Sequence, residues 1–304
     1  MIEKTAIIGM GALGLLYADQ ITTGLKDKSA VTFVMDDDRA KRHEKDSYTI
    51  NGEEKHFQVK RPGEVSPFDL VIVAVKYNEL KSALEVMAPC VGEESIILSV
   101  MNGITSEEII GERFGREKVL TTVAQGMDAM RDGTTLRYTK CGNLHIGQLP
   151  SDRPTNLREV VDFFTKASVP HIVEEDILYR LWFKFMLNVG INQTCMVFDT
   201  TYGVATDPST KAYETMMGAM DEVRQMAERK GVTLTKEDMA TCVTIEKTLD
   251  PEGYPSMSQD RYAGRRSEVD MFAGEVIRMG KAYGIPTPCN DFFLARVREI
   301  EAAY

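Results

Sequence analysis

Cysteine is scarce in this 304-residue chain and forms no pattern: Cys90, Cys141, Cys195, Cys242 and Cys289 are odd in number, widely spaced and free of any CxxC pair. That leaves no basis for a disulfide framework or a zinc site, and a reducing cytoplasm is the expected setting. The histidines His43, His56, His145 and His171 show no ligand spacing either, so no metal is expected. Long apolar runs are also missing. AIIGMGALGLLY and DLVIVAV are interrupted or too short for a bilayer, which needs about 20 apolar residues, and no charged n-region precedes the first run as a secretory signal would require. No membrane partner is expected. Basic residues are in deficit, with 36 Lys and Arg against 46 Asp and Glu for a net charge of -10, which argues against a general nucleic-acid surface. Any anionic ligand must be held by local charge.

What is present is ordinary globular material, 43% hydrophobic and 27% charged, and long enough for two domains with cores of their own. Up to about residue 150 short β-branched runs alternate with helical stretches: KTAIIGM, VTFVMD, DLVIVAVK, SIILSVMNG and KVLTTVAQG. That rhythm predicts a parallel sheet covered by crossover helices. SYTINGEEKHFQVK and TTLRYTKCGNLHIGQL read as hairpins. Strand signals then fade, and periodic segments at 177–198, 209–230, 235–248, 267–283 and 288–303 predict helices. The expected fold class is α/β, with a Rossmann-type NAD(P)-binding domain over 1–173 followed by an all-helical domain over 174–304.

KTAIIGMGALGLLYADQI carries Gly9, Gly11 and Gly14 in a GxGxxG arrangement between a strand and a helix. Gly9 makes the turn, Gly11 admits a pyrophosphate and Gly14 lets helix and strand close up; Met10, Ala12 and Leu13 complete the loop whose N–H groups meet the anion. Glycines also mark plain turns, but here the second strand ends in Asp36, where this fold places an acidic group on the ribose. A bound NAD(P) is the expected cofactor. Asp36 suits the hydroxyls of NAD, whereas Arg39, Lys41 and Arg42 lie close behind and offer charge for the 2′-phosphate of NADP, so the choice stays open. Lys76 and Asn102-Gly103 follow further strands, at the carboxyl ends where ligands of such sheets bind; a surface charge and a simple turn are the alternatives.

The segment LWFKFMLNVGINQ, residues 181–193, is apolar nearly all round except for Lys184, Asn188 and Asn192. At 100° per residue these three lie within roughly an 80° arc over about 12 Å of one helix face. Buried amides and ammonium groups need partners, so the stripe meets either a structural network or a polar ligand. Further on, Ser256 stands in a loop after Pro255, and Ser267 reads as the N-cap of a helix with Glu268 in its first turn and an apolar face through Val269, Phe272, Val276 and Met279. The methionines, Met216, Met217 and Met220 among them, and Cys195 read as core.

GMGALG near the N-terminus, VK and NG after later strands, KxxxNxxxN in the first long helix and SMxxDxxxGRxxE near the C-terminus together resemble the ketopantoate reductase family, in order and spacing over nearly the whole chain. The resemblance implies a Rossmann domain followed by a helical domain, with the reaction between them: 2-dehydropantoate reduced to (R)-pantoate with NADPH, on the route to pantothenate and coenzyme A. It implies Lys184 as catalytic lysine and Glu268 as its carboxylate, with Asn102, Asn188, Asn192 and Ser256 as substrate contacts and Lys76 on the cofactor side. The chain departs from the family at Met101, where His or Gln is common, at Tyr202, where some members have asparagine, and at Asp36, where an NADP-preferring member has a basic residue. Asp36 and Tyr202 favour the alternative of an NAD-dependent D-2-hydroxyacid dehydrogenase acting on another branched or aromatic 2-keto acid. A non-catalytic dinucleotide sensor is the third reading. The expected partner is a small 2-keto acid, with the protein a monomer or homodimer.

Overall fold

The computed structural model describes residues 1–304, which form two compact units, Met1–Ile177 and Leu178–Tyr304. No helix is long and apolar enough to cross a membrane.

In the first unit the strands in chain order are β1 (Thr5–Ile8), β2 (Val31–Val34), β3 (Tyr48–Ile50), β4 (Glu53–Lys55), β5 (Gln58–Lys60) and β6 (Phe68–Val73). They continue as β7 (Val91–Ser99), β8 (Val119–Met127), β9 (Met130–Asp132), β10 (Thr135–Arg137), β11 (Cys141–Gly147) and β12 (His171–Val173). The helices of this unit are α1 (Ala12–Leu25), α2 (Asp37–His43), α3 (Leu80–Met87), α4 (Ser106–Phe114) and α5 (Asn156–Lys166). Eight strands make one sheet in the order β12-β11-β8-β7-β6-β1-β2-β5, parallel from β5 to β8. The chain runs outward from β1 through β2 to β5, then returns to the other side of β1 with β6. That reversal is a topological switch point, and it lies between β1 and β6.

Strand periodicity explains the layers. On β1, Ile7 belongs to the core on the α1 and α5 side, whereas Ala6 and Ile8 face the α3 and α4 side; Leu70 and Ile72 against Val71 and Val73 repeat the split on β6. Both faces of these strands are covered, which is why they read as unbroken β-branched runs. Each fully buried Ile, Leu or Val contributes roughly 1.5–3 kcal/mol relative to exposure.

The first hairpin forms over a shorter span than its segment, and the second needs correction. Within 47–60, β3 and β4 pair antiparallel about Asn51-Gly52, but β5 leaves them and joins the large sheet parallel to β2. Within 134–149, β10 and β11 do not pair with each other at all. β10 pairs with β9 and β3 in a separate four-stranded sheet, β4-β3-β10-β9, while β11 runs antiparallel to β8, with Gly142-Asn143 inside the strand. The β9–β10 pairing is itself a local hairpin across Gly133-Thr134, whereas β3 and β8 are reached by no turn within 134–149.

The long helix α6 (Ile177–Phe198) leads into the second unit, which continues with α7 (Tyr202–Ala205), α8 (Lys211–Arg229), α9 (Lys236–Glu246), α10 (Ser256–Tyr262), α11 (Glu275–Tyr283) and α12 (Pro288–Glu301). A π turn, Asp270–Gly274, runs directly into α11. Capping starts the helices where side chains permit: Thr210 accepts from the Tyr213 N–H, and Thr235 and Asp238 form a capping box at α9. Phe185, Met186, Val189, Ile191, Cys195 and Met196 of α6 are all buried, as are Met216 and Met220 of α8. A Cβ at Gly190 would stand 2.3 Å from the Met220 Cε, so the missing side chain lets α6 and α8 pack closely.

Candidate active site

The Gly-rich turn follows β1 and lines a cavity of about 510 Å³ together with Met35 and Asp36 at the end of β2 and Ala74, Val75 and Lys76 at the end of β6. The cavity therefore sits at the switch point. Its floor cannot carry side chains: Gly9 has φ +103°, and a Cβ there would lie 2.5 Å from the Ala74 carbonyl oxygen. A Cβ at Gly14 would meet the Gly9 oxygen at 2.0 Å, so this position sets how closely α1 follows β1, whereas Gly11 at the helix N-cap leaves 3.9 Å to the nearest atom. Met10 is buried; Ala12 and Leu13 are half-buried in the first turn of α1, which contains no acidic side chain. A cradle of backbone N–H groups at a helix start with no competing anion fits a pyrophosphate.

Asp36 caps α2, its Oδ1 accepting from the Arg39 N–H at 2.9 Å. The guanidinium of Arg39 is held between two carboxylates, with Nη2 2.5 Å from Glu79 Oε1 and Nε 3.6 Å from Asp36 Oδ2. Arg39 is thus engaged by neighbouring carboxylates while its residue lines the cavity wall. Arg42 and His43 line the same cavity, while Lys41 does not. One lining residue had no sequence signal. Arg131 on β9 donates from Nη1 to the Met10 carbonyl oxygen, and its guanidinium lies 5.9 Å from the Tyr48 ring centroid. The Tyr48 hydroxyl contacts Met10 Sδ at 3.1 Å and His43 Nδ1 at 2.9 Å. The small sheet therefore clamps the Gly-rich turn from a position 121 residues away in the chain.

Lys76 lines the cavity and caps a short 3-10 turn, Tyr77–Glu79. Asn102 lies outside the lining, half-buried, in the turn after β7 beside Gly103 with φ +92°. Under that turn the buried Ser99 and Ser106 hydroxyls are 2.8 Å apart, and Ser106 donates to Glu107 Oε2 at 2.8 Å. Burial pushes the Glu107 carboxyl up from its ordinary value, and the Ser106 hydrogen bond opposes the shift.

In the second unit Asn192 is buried, and Lys184, Asn188 and Glu268 are half-buried. Asn192 Oδ1 accepts from the Ser256 hydroxyl at 3.1 Å and from the Met257 N–H at 3.4 Å. A main-chain N–H can only donate, so this contact fixes the direction of the amide. Asn192 Nδ2 then donates to Asn188 Oδ1 at 3.3 Å, which leaves the donor end of the Asn188 amide for another acceptor on the face shared with Lys184. The structure thus joins Ser256, Asn192 and Asn188 in one relay. Ser256 opens α10 and is not in a loop, because Pro255 supplies the helix N-cap and Asn192 receives a first-turn N–H.

Ser267 is likewise not an N-cap: its hydroxyl and its N–H both donate to Glu301 Oε1 at 2.7 Å. Glu268 precedes the π turn, its carbonyl accepting from the N–H groups of Met271 and Phe272. The apolar face through Val269, Phe272, Val276 and Met279 is buried, and Phe272 packs on Phe185, the neighbour of Lys184, at 6.3 Å between ring centroids. Tyr202 opens α7 and donates its N–H to the Gly253 oxygen in the loop that leads to Ser256. Near it, Glu246 is 3% exposed with its Oε2 lacking any hydrogen-bond partner, and burial pushes its carboxyl up to about 7.

Comparison with known proteins identifies the family. The family description "Ketopantoate reductase PanE/ApbA" matches residues 5–151, and its C-terminal counterpart matches residues 176–301. A 2-dehydropantoate 2-reductase of Aquifex aeolicus (strain VF5) is 28% identical over 315 aligned positions, covering 99% of this chain and 98% of the relative. Among solved structures, a PanE/ApbA family ketopantoate reductase from Ralstonia eutropha JMP134 is 25% identical with a TM-score of 0.83 and 99% of each chain covered. D-mandelate dehydrogenase in complex with NADH and anilino(oxo)acetate, 24% identical, shares the fold with a TM-score of 0.85 over 99% of this chain and 98% of that one. With both halves matched in order, the chain belongs to the ketopantoate reductase family and is an oxidoreductase that uses a nicotinamide dinucleotide.

Proposed function

We propose that the chain reduces 2-dehydropantoate to (R)-pantoate, with residues 1–173 holding NADPH and residues 174–304 holding the keto acid. The observation that carries this reading is the Ser256–Asn192–Asn188 relay, which presents an oriented amide donor on the helix face of Lys184. When bound, the reduced nicotinamide supplies the hydride. The chain's part is then to bind, orient and protonate. Lys184 Nζ donates to the keto oxygen and gives it a proton as negative charge develops there, and Glu268 stabilises the charged form of the lysine before that transfer. Asn102, Asn188, Asn192 and Ser256 hold the carboxylate and hydroxyl groups without adding net charge. The Gly9–Gly14 turn with Met10, Gly11, Ala12 and Leu13 receives the pyrophosphate, Asp36 meets the ribose, and Lys76 stands on the cofactor side.

A second reading has its own support. Asp36 accepts from the Arg39 backbone and keeps a carboxylate oxygen at the end of β2, which suits the two hydroxyls of NADH and repels a 2′-phosphate. On that reading the enzyme uses NADH and takes another branched or aromatic 2-keto acid. Specificity constants for ketopantoate, 2-ketoisovalerate and phenylglyoxylate, each with NADPH and NADH, separate the two; phenylglyoxylate with NADH leading the series would displace the first. Lys184→Ala is expected to lower turnover at least about a hundredfold while the dinucleotide still binds. Near-normal turnover in that variant would refute the role of Lys184.

A further inference from the structure

One buried network lies beside the relay without belonging to it. Gln193 follows Asn192 by one position, so its side chain leaves α6 about 100° away from the polar stripe. It is fully buried. Its Nε2 donates to the Val189 carbonyl at 2.8 Å and to Asn290 Oδ1 at 3.2 Å, and its Oε1 accepts the Ala273 N–H at 3.0 Å. Behind it, Asn290 Nδ2 donates to Glu222 Oε2 at 2.6 Å, and the Glu222 carboxylate also accepts the N–H groups of Cys289 and Asn290 at the start of α12.

Ala273 sits inside the π turn, and its N–H is the one that turn displaces. In a regular α-helix it would donate to Val269, four residues back. Here the Val269 oxygen is taken by Gly274, five residues on, and the Glu268 oxygen already accepts from Met271 and Phe272. A buried N–H left without an acceptor is strongly unfavourable, so the π turn depends on an acceptor from elsewhere. Gln193 provides it.

We propose that Gln193 is a positioning residue for Glu268: by capturing the displaced Ala273 N–H it holds the one-residue insertion that sets the direction in which Glu268 leaves the helix. Closing the insertion into a regular helix would turn everything before it by about 100° relative to α11 and shift it by about 1.5 Å. Asn290 and Glu222 keep the Gln193 amide from rotating. The inference rests on the reading that Glu268 serves the reaction.

A kinetic double-mutant cycle tests it, with Gln193→Met, Glu268→Gln and the double variant, and with the thermal melt of each variant followed by circular dichroism as the check on folding. Gln193→Met is expected to lower kcat about tenfold or more with KM and cofactor affinity within about twofold, and to lower it less than about twofold further once Glu268 is already Gln. Should Gln193→Met not fold, Gln193→Asn carries the same cycle, since its amide is one methylene too short for Ala273 yet keeps the site polar. An equal loss of kcat in both backgrounds, or wild-type kcat in the Gln193 variants, overturns the positioning role. Wild-type turnover in Glu268→Gln alone overturns the assignment of Glu268, and the inference with it.

Discussion

The two units build their sites from different materials. In the first, the Gly-rich turn is backbone: what matters at Gly9 and Gly14 is the absence of a side chain, since a Cβ would stand 2.5 Å from Ala74 O or 2.0 Å from Gly9 O. In the second, backbone geometry is mostly plain helix, and the site consists of side chains that orient one another, Ser256 onto Asn192 and Asn192 onto Asn188. A backbone site is intolerant of bulk and indifferent to most chemistry around it. A side-chain site tolerates small changes in shape but fails when one donor or acceptor loses its partner.

The sharpest way to break that contrast is Gly14→Val. Its Cβ would overlap the Gly9 carbonyl, so dinucleotide binding, followed by quenching of intrinsic fluorescence, is expected to disappear. Binding within about tenfold of wild type would show that the turn has more room than its geometry allows.

Next in size is Glu246, where the helical unit buries a carboxylate and leaves its Oε2 without a hydrogen-bond partner. Its ordinary value of 4.5 is raised to about 7 in the folded protein. The folded state therefore holds the proton more tightly, and the associated stability is complete below pH 4.5 and is lost as pH rises through about 7. Glu246→Gln should remove this dependence, gaining about 3 kcal/mol on the wild type between pH 4.5 and pH 8 in chemical-denaturation measurements. Parallel stability curves for the two proteins would show that Glu246 finds a partner in solution.

Asn192→Leu probes the side-chain site itself. It strands the Ser256 hydroxyl, the Met257 N–H and the Asn188 amide, so turnover should fall about thirtyfold, equivalent to about 2 kcal/mol, with dinucleotide affinity within twofold. Loss of both turnover and dinucleotide binding would contradict the separation of the two sites. The smallest effect is expected at Arg131, where the first unit does use a side chain: Arg131→Ala should weaken dinucleotide binding about fivefold by loosening the Met10 turn. Titration calorimetry that gave an unchanged affinity would mean the turn holds its shape unaided.

Legibility from sequence divides along the same line. The Gly-rich turn is legible because its pattern is local, three glycines within residues 9–14 between a strand and a helix, although the Ala74 carbonyl that forbids a side chain at Gly9 comes from the end of β6. So is α6, whose bounds of 177 and 198 agree with the apolar run read from the sequence. The hairpin expected over 134–149 does not form because β10 closes a tighter one with β9 across Gly133-Thr134, while β3, β8 and β12, the other partners of β10 and β11, are encoded by no turn residue between those two strands. Ser267 carried the composition of an N-cap, but Glu301 claimed its hydroxyl, and the helix opened with a π turn instead. Arg131 and Gln193 left no trace in the pattern, since each acts through one contact with a segment that is remote in the chain.

The sequence by itself determined the run of parallel strands with their Gly-rich turn, the long helices that follow, and the presence of a lysine and two amides on one face of a buried helix. These follow from steric limits on glycine, from periods of 2 and 3.6 residues, and from the unfavourable solvation of polar groups among apolar ones. Only the tertiary structure decided which way the Asn192 amide points, which strands join the second sheet, what holds Arg39, and where the displaced N–H of Ala273 finds its acceptor. Those outcomes depend on which donors and acceptors meet after collapse, and hydrogen bonds act over about 3 Å of space whatever the separation along the chain.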